Sequence, residues 1–237
     1  MLRSALSPIA VALAFGCARP ATTPAPAAAP PRADTVAAVR WTRASAEHRG
    51  LFLQSYRLAT EIIEKRAAGA APGSWAVILD ADETTLDNSV YQQERASAGL
   101  GYSRDSWNAW VNRGAAAALP GAAAFTHRVH ELGGRVVIVT NRDDAVCAIT
   151  RDNLRRVNVE ADQVLCAPPG VSDKNPRFAT VQAGGKVLMW VGDNIEDFPT
   201  LHQTILTERD AAFDEFGRAY ILLPNPMYGS WGRAPLP

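Results

Sequence analysis

Lysine is scarce in this 237-residue chain: only Lys65, Lys174 and Lys186 stand among 24 basic residues, the rest being arginine. Net charge is lacking too, because 24 acidic side chains balance the 24 basic ones. A dedicated polyanion binder carries a basic excess, so no nucleic-acid polymer is expected as a partner, and an anionic ligand must be small and locally recognised. Cysteine occurs three times and never as Cys-x-x-Cys, which excludes a disulfide-dense mini-scaffold, a zinc ribbon and a thioredoxin-type site. Of the four histidines, His127 and His130 share a helical spacing but no Glu-x-x-His or carboxylate partner accompanies them, so they read as a solvated face. No internal repeat is present. What remains, 47% hydrophobic and 20% charged, is the composition of a globular domain. At about 200 residues such a domain buries on the order of 70% of its unfolded-chain surface and needs no staple to fold.

The first 17 residues stand apart from that domain. Arg3 precedes an apolar run, Ile9 to Phe15, which is too short for the roughly 20 residues of a membrane-spanning helix and reads as a secretory signal. Its end, Gly16-Cys17, resembles the lipobox of bacterial lipoproteins, in which the cysteine is lipidated and becomes the mature N-terminus. An ordinary signal peptide cut nearby is the alternative. Residues 18–35 hold five Pro and seven Ala, a composition that favours an extended tether able to span ~55 Å at ~3.1 Å per residue. The expected division is signal 1–17, linker 18–35 and domain 36–237, exported and held at a membrane, the outer membrane being the expected one. An exported setting would let Cys147 and Cys166 pair, although two buried thiols are the simpler reading of their apolar and helical surroundings.

Beyond the linker, Val36 to Ala68 reads as one amphipathic helix with Phe52, Tyr56, Ala59 and Ile63 on its buried face. Short continuous apolar runs follow at 75–79, 136–139, 187–191 and 219–223, with a weaker one at Val164-Leu165. Strands covered on both faces read this way, and the helical stretches between them make them parallel. The expectation is an α/β, Rossmann-like parallel sheet of about five strands with helices on both faces. A small helical subdomain comes from the N-terminal helix and the segment after the first strand.

Open parallel sheets bind ligands at the carboxyl ends of their strands, and polar residues cluster there. The run at 75–79 ends in Asp80-Ala81-Asp82-Glu83-Thr84, that at 136–139 in Thr140-Asn141-Arg142, and that at 187–191 in Gly192-Asp193-Asn194-Ile195-Glu196-Asp197. Alternation places Asp80 and Asp82 on one side of an extended segment. A calcium loop fails on register, since its sixth position holds Thr85 instead of Gly and its twelfth Tyr91 instead of Glu.

Asp80-x-Asp82-x-Thr84 after an apolar strand, then Thr140, Lys174 and Gly192-Asp193 with Asp197, resembles the haloacid dehalogenase superfamily of aspartate-nucleophile phosphohydrolases. Leu86-Asp87-Asn88-Ser89, Trp107-Asn108-Ala109-Trp110, Leu119-Pro120-Gly121 and Pro224-Asn225-Pro226-Met227-Tyr228-Gly229 narrow the resemblance to the class C acid phosphatases, bacterial lipoprotein 5′-nucleotidases. Two positions depart from the pattern: Val90 follows Ser89 where Pro is common, and Pro176 sets Lys174 ahead of its helix. The resemblance implies that Asp80 is the nucleophile and Asp82 the acid and base. It also implies that Asp80, Asp82 and Asp193 hold Mg2+ with Asp197 behind them, and that Thr140, Asn141 and Lys174 bind phosphate. Tyr91 and Tyr228, in polar segments, are the expected stacking platforms for a nucleoside, and the family leaves room for a homodimer. The rival functions are a nonspecific acid phosphatase and a lipoprotein that captures a phosphorylated ligand without turnover. The paired carboxylates argue against the last, since a binder has no need of the second.

Overall fold

The computed structural model describes residues 33–234. The expected signal, linker and Cys17 lie outside the described residues, apart from the linker's last three. Five strands form one parallel sheet: β1 (Trp75–Leu79), β4 (Arg135–Asp143), β5 (Gln163–Ala167), β6 (Lys186–Gly192) and β7 (Tyr220–Leu222), in the spatial order β5-β4-β1-β6-β7. β1 is central and wholly buried, which is why its five residues are all apolar. Two short strands outside the sheet, β2 (Leu86–Asp87) and β3 (Ala117–Ala118), pair antiparallel.

Alternation along β1 divides the core into two layers. Val77 and Leu79 face one side, packing with Phe52, Tyr56 and Ile63 of α2 (Ala46–Arg66) and Phe125 and Val129 of α5 (Ala122–Glu131). Ala76 and Ile78 face the other, against Phe178 and Val181 of α7 (Asn175–Ala183) and Phe198. The sheet of about five strands covered on both faces is therefore as the apolar runs foretold.

The single helix expected over 36–68 is instead two: α1 (Ala33–Ala44) and α2, broken at Ser45. Ser45 is extended (φ −96°, ψ 142°), and its hydroxyl accepts the His48 amide at 3.0 Å, capping α2. The break frees α1 to lie against α3 (Ser89–Ser97), where Arg43 donates to Ser89 Oγ at 2.9 Å. With α4 (Arg104–Arg113), these helices form a small helical layer over the carboxyl ends of the strands.

Two further expectations are corrected. Cys147, which opens α6 (Cys147–Arg156), and Cys166 of β5 form a disulfide rather than two thiols, with their Cα atoms 5.9 Å apart. His127 and His130 do have carboxylate partners: Glu131, one turn along α5, lies 3.2 Å from His127 Nε2, and the others come from a segment distant in sequence. His127 Nδ1 lies 3.1 Å from Glu160 and His130 Nε2 lies 2.8 Å from Asp162. Asp162 also accepts the Val136 amide at 2.7 Å, so the cluster ties α5 to the start of β4.

Candidate active site

β1 runs out of apolar residues where its neighbours cease to cover it, and the chain turns at once. The Asp80 amide still donates to Val191 of β6 at 3.0 Å, whereas the Thr85 and Leu86 amides fold back to the Ala81 carbonyl at 3.0 and 2.8 Å. The turn forces Glu83 to a left-handed φ of 54°, a conformation that costs a non-glycine residue on the order of 1 kcal/mol. Its groups are fully used: the amide donates to Leu86 at 2.9 Å and Oε1 accepts from the Asn88 amide at 2.8 Å. Burial, then the charges of Asp82 and Asp193, push the Glu83 carboxyl well above the usual range.

Asp80 is buried at the floor of a cavity of about 580 Å³, whose walls include Asp82, Asn141, Lys174, Asp193 and Asp197. Lys174 stands at the N-cap of α7, ahead of the helix as Pro176 requires, and it does reach the centre. Its Nζ donates to Asp80 Oδ1 and, at 2.6 Å, to Asp197 Oδ1. Burial alone would lower the pKa of this ammonium, but Asp197 and Asp80 together raise it above the ordinary lysine value, so it stays charged. Burial pushes Asp80 up to about 7, opposed by Lys174 and reinforced by Asp197 and Asp82.

Asp193 and Asp197 arrive on the loop after β6. Asp193 Oδ1 accepts from Thr84 Oγ1 at 3.0 Å and its Oδ2 from Asn225 Nδ2 at 2.8 Å. Burial and then the charges of Asp197 and Asp80 raise its pKa well above normal. Asp197 Oδ2 accepts the Asn194 amide at 2.9 Å, closing a one-turn helix over Gly192. Glycine is needed there, because a Cβ on Gly192 would lie 2.3 Å from Asp197 Cβ. Oxygens of Asp80, Asp193 and Asp197 all lie within 4.8 Å of one another, a hard-oxygen donor set that suits a divalent cation. One ammonium does not neutralise three such carboxylates, and two of them are driven toward the protonated form.

The phosphate and leaving-group residues divide. Asn141 lines the cavity, whereas Thr140 is fully buried behind it, its Oγ1 accepting the Arg142 amide at 3.1 Å. Arg177, which sequence reasoning passed over, grips this loop through the Thr140 carbonyl and, at 2.6 Å, Asn141 Oδ1. Tyr228 lines the cavity, held by its own turn in which Asn225 Oδ1 accepts the Met227 amide at 2.9 Å. Tyr91 does not serve as a platform. It is 2% exposed, edge-on to Trp107, and its hydroxyl is paired with Ser106 at 2.9 Å, so neither ring face is open to a ligand. The cavity instead presents Trp107 and Tyr102, the latter 68% exposed. Only an alternation in exposure along α3 and its loop separates Tyr91 from Tyr102, and a short polar helix gives no periodicity strong enough to reveal it.

A model of the HAD superfamily, subfamily IIIB (acid phosphatase) matches residues 18–231. The chain belongs to this family. Its members are phosphoric monoester hydrolases, and the parallel sheet and flanking helices are the family's fold. Two structures of the class C acid phosphatase from Bacillus anthracis, one with tungstate bound, are similar to it at 29% identity, covering 83% of this chain and 86% of that one, with TM-scores of 0.75 and 0.76. A stem 31 kDa glycoprotein from Glycine max is 25% identical over 159 residues, 64% of this chain, and the match spans 58% of the soybean protein. In this acid phosphatase family member, the acidic clusters noted after the apolar runs at 75–79 and 187–191 and Lys174 are brought to one cavity floor.

Proposed function

We propose that this acid phosphatase hydrolyses 5′-mononucleotides and related phosphomonoesters through an aspartyl-phosphate on Asp80, with Mg2+ as cofactor. The observation that carries the reading is the buried floor itself. One carboxylate, Asp80, is held between a charged lysine and two more carboxylates, and Asp82 stands two residues away on the same wall. Asp80, Asp193, Asp197 and the main-chain carbonyl of Asp82 would hold the cation, which when bound lowers the repulsion between the phosphate dianion and the acidic floor.

The chain's own residues supply the rest. The Asn141 amide and the Lys174 ammonium hold phosphate oxygens, with Thr140 shaping the loop beneath them. Asp80 attacks phosphorus as the bond to the leaving oxygen breaks, and Asp82 gives that oxygen its proton. Asp82 then takes a proton from water as water attacks the phosphorus of the aspartyl-phosphate, freeing phosphate and restoring Asp80. The relative from Bacillus anthracis with an oxyanion bound supports a site of this kind.

Preference among monoesters comes from the leaving-group side, where Tyr102, Trp107, Met227 and Tyr228 form the wall. A planar base stacked on such a wall gains about 1–3 kcal/mol, so 5′-mononucleotides are expected to exceed alkyl phosphates about 10- to 100-fold in kcat/KM. A phosphate-release panel of mononucleotides and simple monoesters, with and without chelator, tests the whole reading. Full activity in excess chelator rejects the metal, and equal turnover of all esters favours the nonspecific acid phosphatase.

Export and anchoring through Cys17 at the outer membrane belong to the same proposal. The Cys147–Cys166 disulfide supports an oxidising compartment, and among the described residues no helix is long and apolar enough to cross a membrane. Membrane partitioning of the wild-type chain, lost in Cys17→Ser, is the expected result.

A further inference from the structure

Three residues of the sequence motifs have no part in the chemistry described so far: Asn88, Trp110 and Arg142. The structure brings Arg142 and Asn88 to a single atom, with Trp110 behind Asn88. Asp82 Oδ1 accepts from Arg142 Nε at 2.8 Å, Arg142 Nη2 at 2.7 Å and Asn88 Nδ2 at 2.9 Å. Arg142 is 1% exposed, an arginine buried at the end of β4, and its Nη1 reaches Thr150 of α6 at 3.3 Å. The Asn88 amide is not free to turn over. Its Oδ1 accepts from Trp110 Nε1 at 2.8 Å and from Arg142 Nη2 at 3.1 Å, so only Nδ2 is left to face Asp82.

Three donors on Oδ1 leave Oδ2 as the Asp82 oxygen without a protein partner among the described residues, in a side chain that lines the cavity. We propose that Arg142 and Asn88, with Trp110 orienting Asn88, are positioning residues that lock the Asp82 carboxyl group so that Oδ2 alone exchanges the proton with the leaving oxygen and with water. The inference rests on Asp82 being the acid and base. In the first step the Oδ2–H bond breaks, the proton passes to the leaving oxygen, and that oxygen keeps the electron pair of the P–O bond. The Oδ1 contacts persist throughout. Because Trp110 belongs to α4, that helix is coupled to proton transfer through a side chain that is not part of the cavity wall.

A merely structural role and a positioning role differ in their dependence on the leaving group. An alkoxide cannot depart without a proton, whereas a nitrophenolate can. The test measures kcat/KM for a series from alkyl phosphates to nitrophenyl phosphate in the wild type, Arg142→Lys, Trp110→Phe, Asp82→Asn and the double variant Asp82→Asn with Arg142→Lys. Trp110→Phe keeps the ring and removes only the indole donor, and circular dichroism and thermal melting verify its fold should the buried Arg142 variant fail to form.

The expected losses on alkyl phosphates are about 10²-fold for Arg142→Lys and about tenfold for Trp110→Phe, each several times smaller on nitrophenyl phosphate. The Arg142 change should add little once Asp82 is already Asn. If Asp82→Asn is leaving-group selective while folded Arg142→Lys and Trp110→Phe lose activity uniformly or not at all, the positioning inference is overturned and the proposed function stands. Should Asp82→Asn itself lose activity uniformly across the series, Asp82 is not the acid, and the inference is overturned together with that part of the mechanism.

Discussion

Adding one methyl group at Gly192 should disable the site while leaving the fold in place. The alanine Cβ would lie 2.3 Å from Asp197 Cβ and 2.5 Å from its Oδ2. Carbon atoms rest at about 3.5 Å or more, so Asp197 would have to retreat by roughly 1 Å. A rotamer change cannot supply this, because the clash is with Cβ, and the one-turn helix Ile195–Asp197 must move as a unit. Asp197 Oδ1 would leave Lys174, and a carboxylate of the three-oxygen cluster would be displaced. Overpacking of this kind costs about 1–3 kcal/mol of the roughly 5–15 kcal/mol that keeps a domain folded, so the variant remains native at 25 °C. Displacement of about 1 Å in a catalytic constellation costs on the order of 10²-fold in rate. The assay is kcat/KM on a mononucleotide with increasing Mg2+, beside a thermal melt. Gly50→Ala is the control, because its Cβ meets nothing within 4 Å and it sits inside α2, where alanine should raise stability by about 0.5–1 kcal/mol. A folded Gly192→Ala protein with wild-type kcat/KM and metal response would refute the placement of Asp197 in the working site.

Asp80→Asn should fold normally and lose several orders of magnitude in phosphate release, because the attacking charge and a metal ligand go together; near-normal turnover by a folded variant removes the covalent mechanism. Binding of Mg2+ should be opposed by protons. Asp80 is raised to about 7 and Asp193 well above the ordinary 3.8, so their stabilising protonation is complete below that value and is lost as pH rises through the folded-state values. The rise in Tm on adding Mg2+ should therefore grow between about pH 5 and about pH 8, and an equal or larger rise at the acidic end contradicts the assignment. Reduction of Cys147–Cys166, which closes 19 residues of sequence, should lower stability by about 2–4 kcal/mol in denaturant titrations, and an unchanged midpoint shows that the bridge does not form in solution. Tyr228→Ala and Tyr102→Ala should each narrow the ratio of mononucleotide to glycerol phosphate turnover, whereas an unaltered ratio in both places the stacking wall elsewhere.

Sheet, layers and the acidic floor were legible in the sequence because each rests on a signal local to its strand. An uninterrupted apolar run marks a strand covered on both faces, and the abrupt change to Asp, Thr and Asn marks where cover ends. Readings failed where the deciding interaction comes from elsewhere in the chain. Ser45 breaks a periodic helix because its hydroxyl caps the next one, a cue the periodicity of Phe52 to Ile63 overrides on paper but not in space. Cys147 and Cys166 meet only because β5 lies beside the segment that leads into α6. Glu160 and Asp162 reach the two histidines by the same long route. Tyr91 and Tyr102 have similar surroundings in sequence and opposite fates, 2% against 68% exposed, because the indole of Trp107 covers one and leaves the other at the rim.

The composition that first seemed featureless also acquires a physical reason at two positions. Lys174 is an ammonium and not one of the chain's many guanidinium groups because it must reach two carboxylates, just after β1 and on the loop after β6, from a buried position. A compact point charge with rotatable donors fits that space, and a planar fork of five donors would leave several of them buried and unpaired. Arg142 has the opposite task. Its fork converges Nε and Nη2 on one Asp82 oxygen while Nη2 also reaches Asn88 and the remaining nitrogen, Nη1, goes to Thr150, a geometry that a lysine cannot reproduce. The two cations therefore give Asp80 and Asp82 different surroundings: Asp80 is held by a single charge at the floor, and Asp82 is clamped by one oxygen while the other has no protein partner among the described residues.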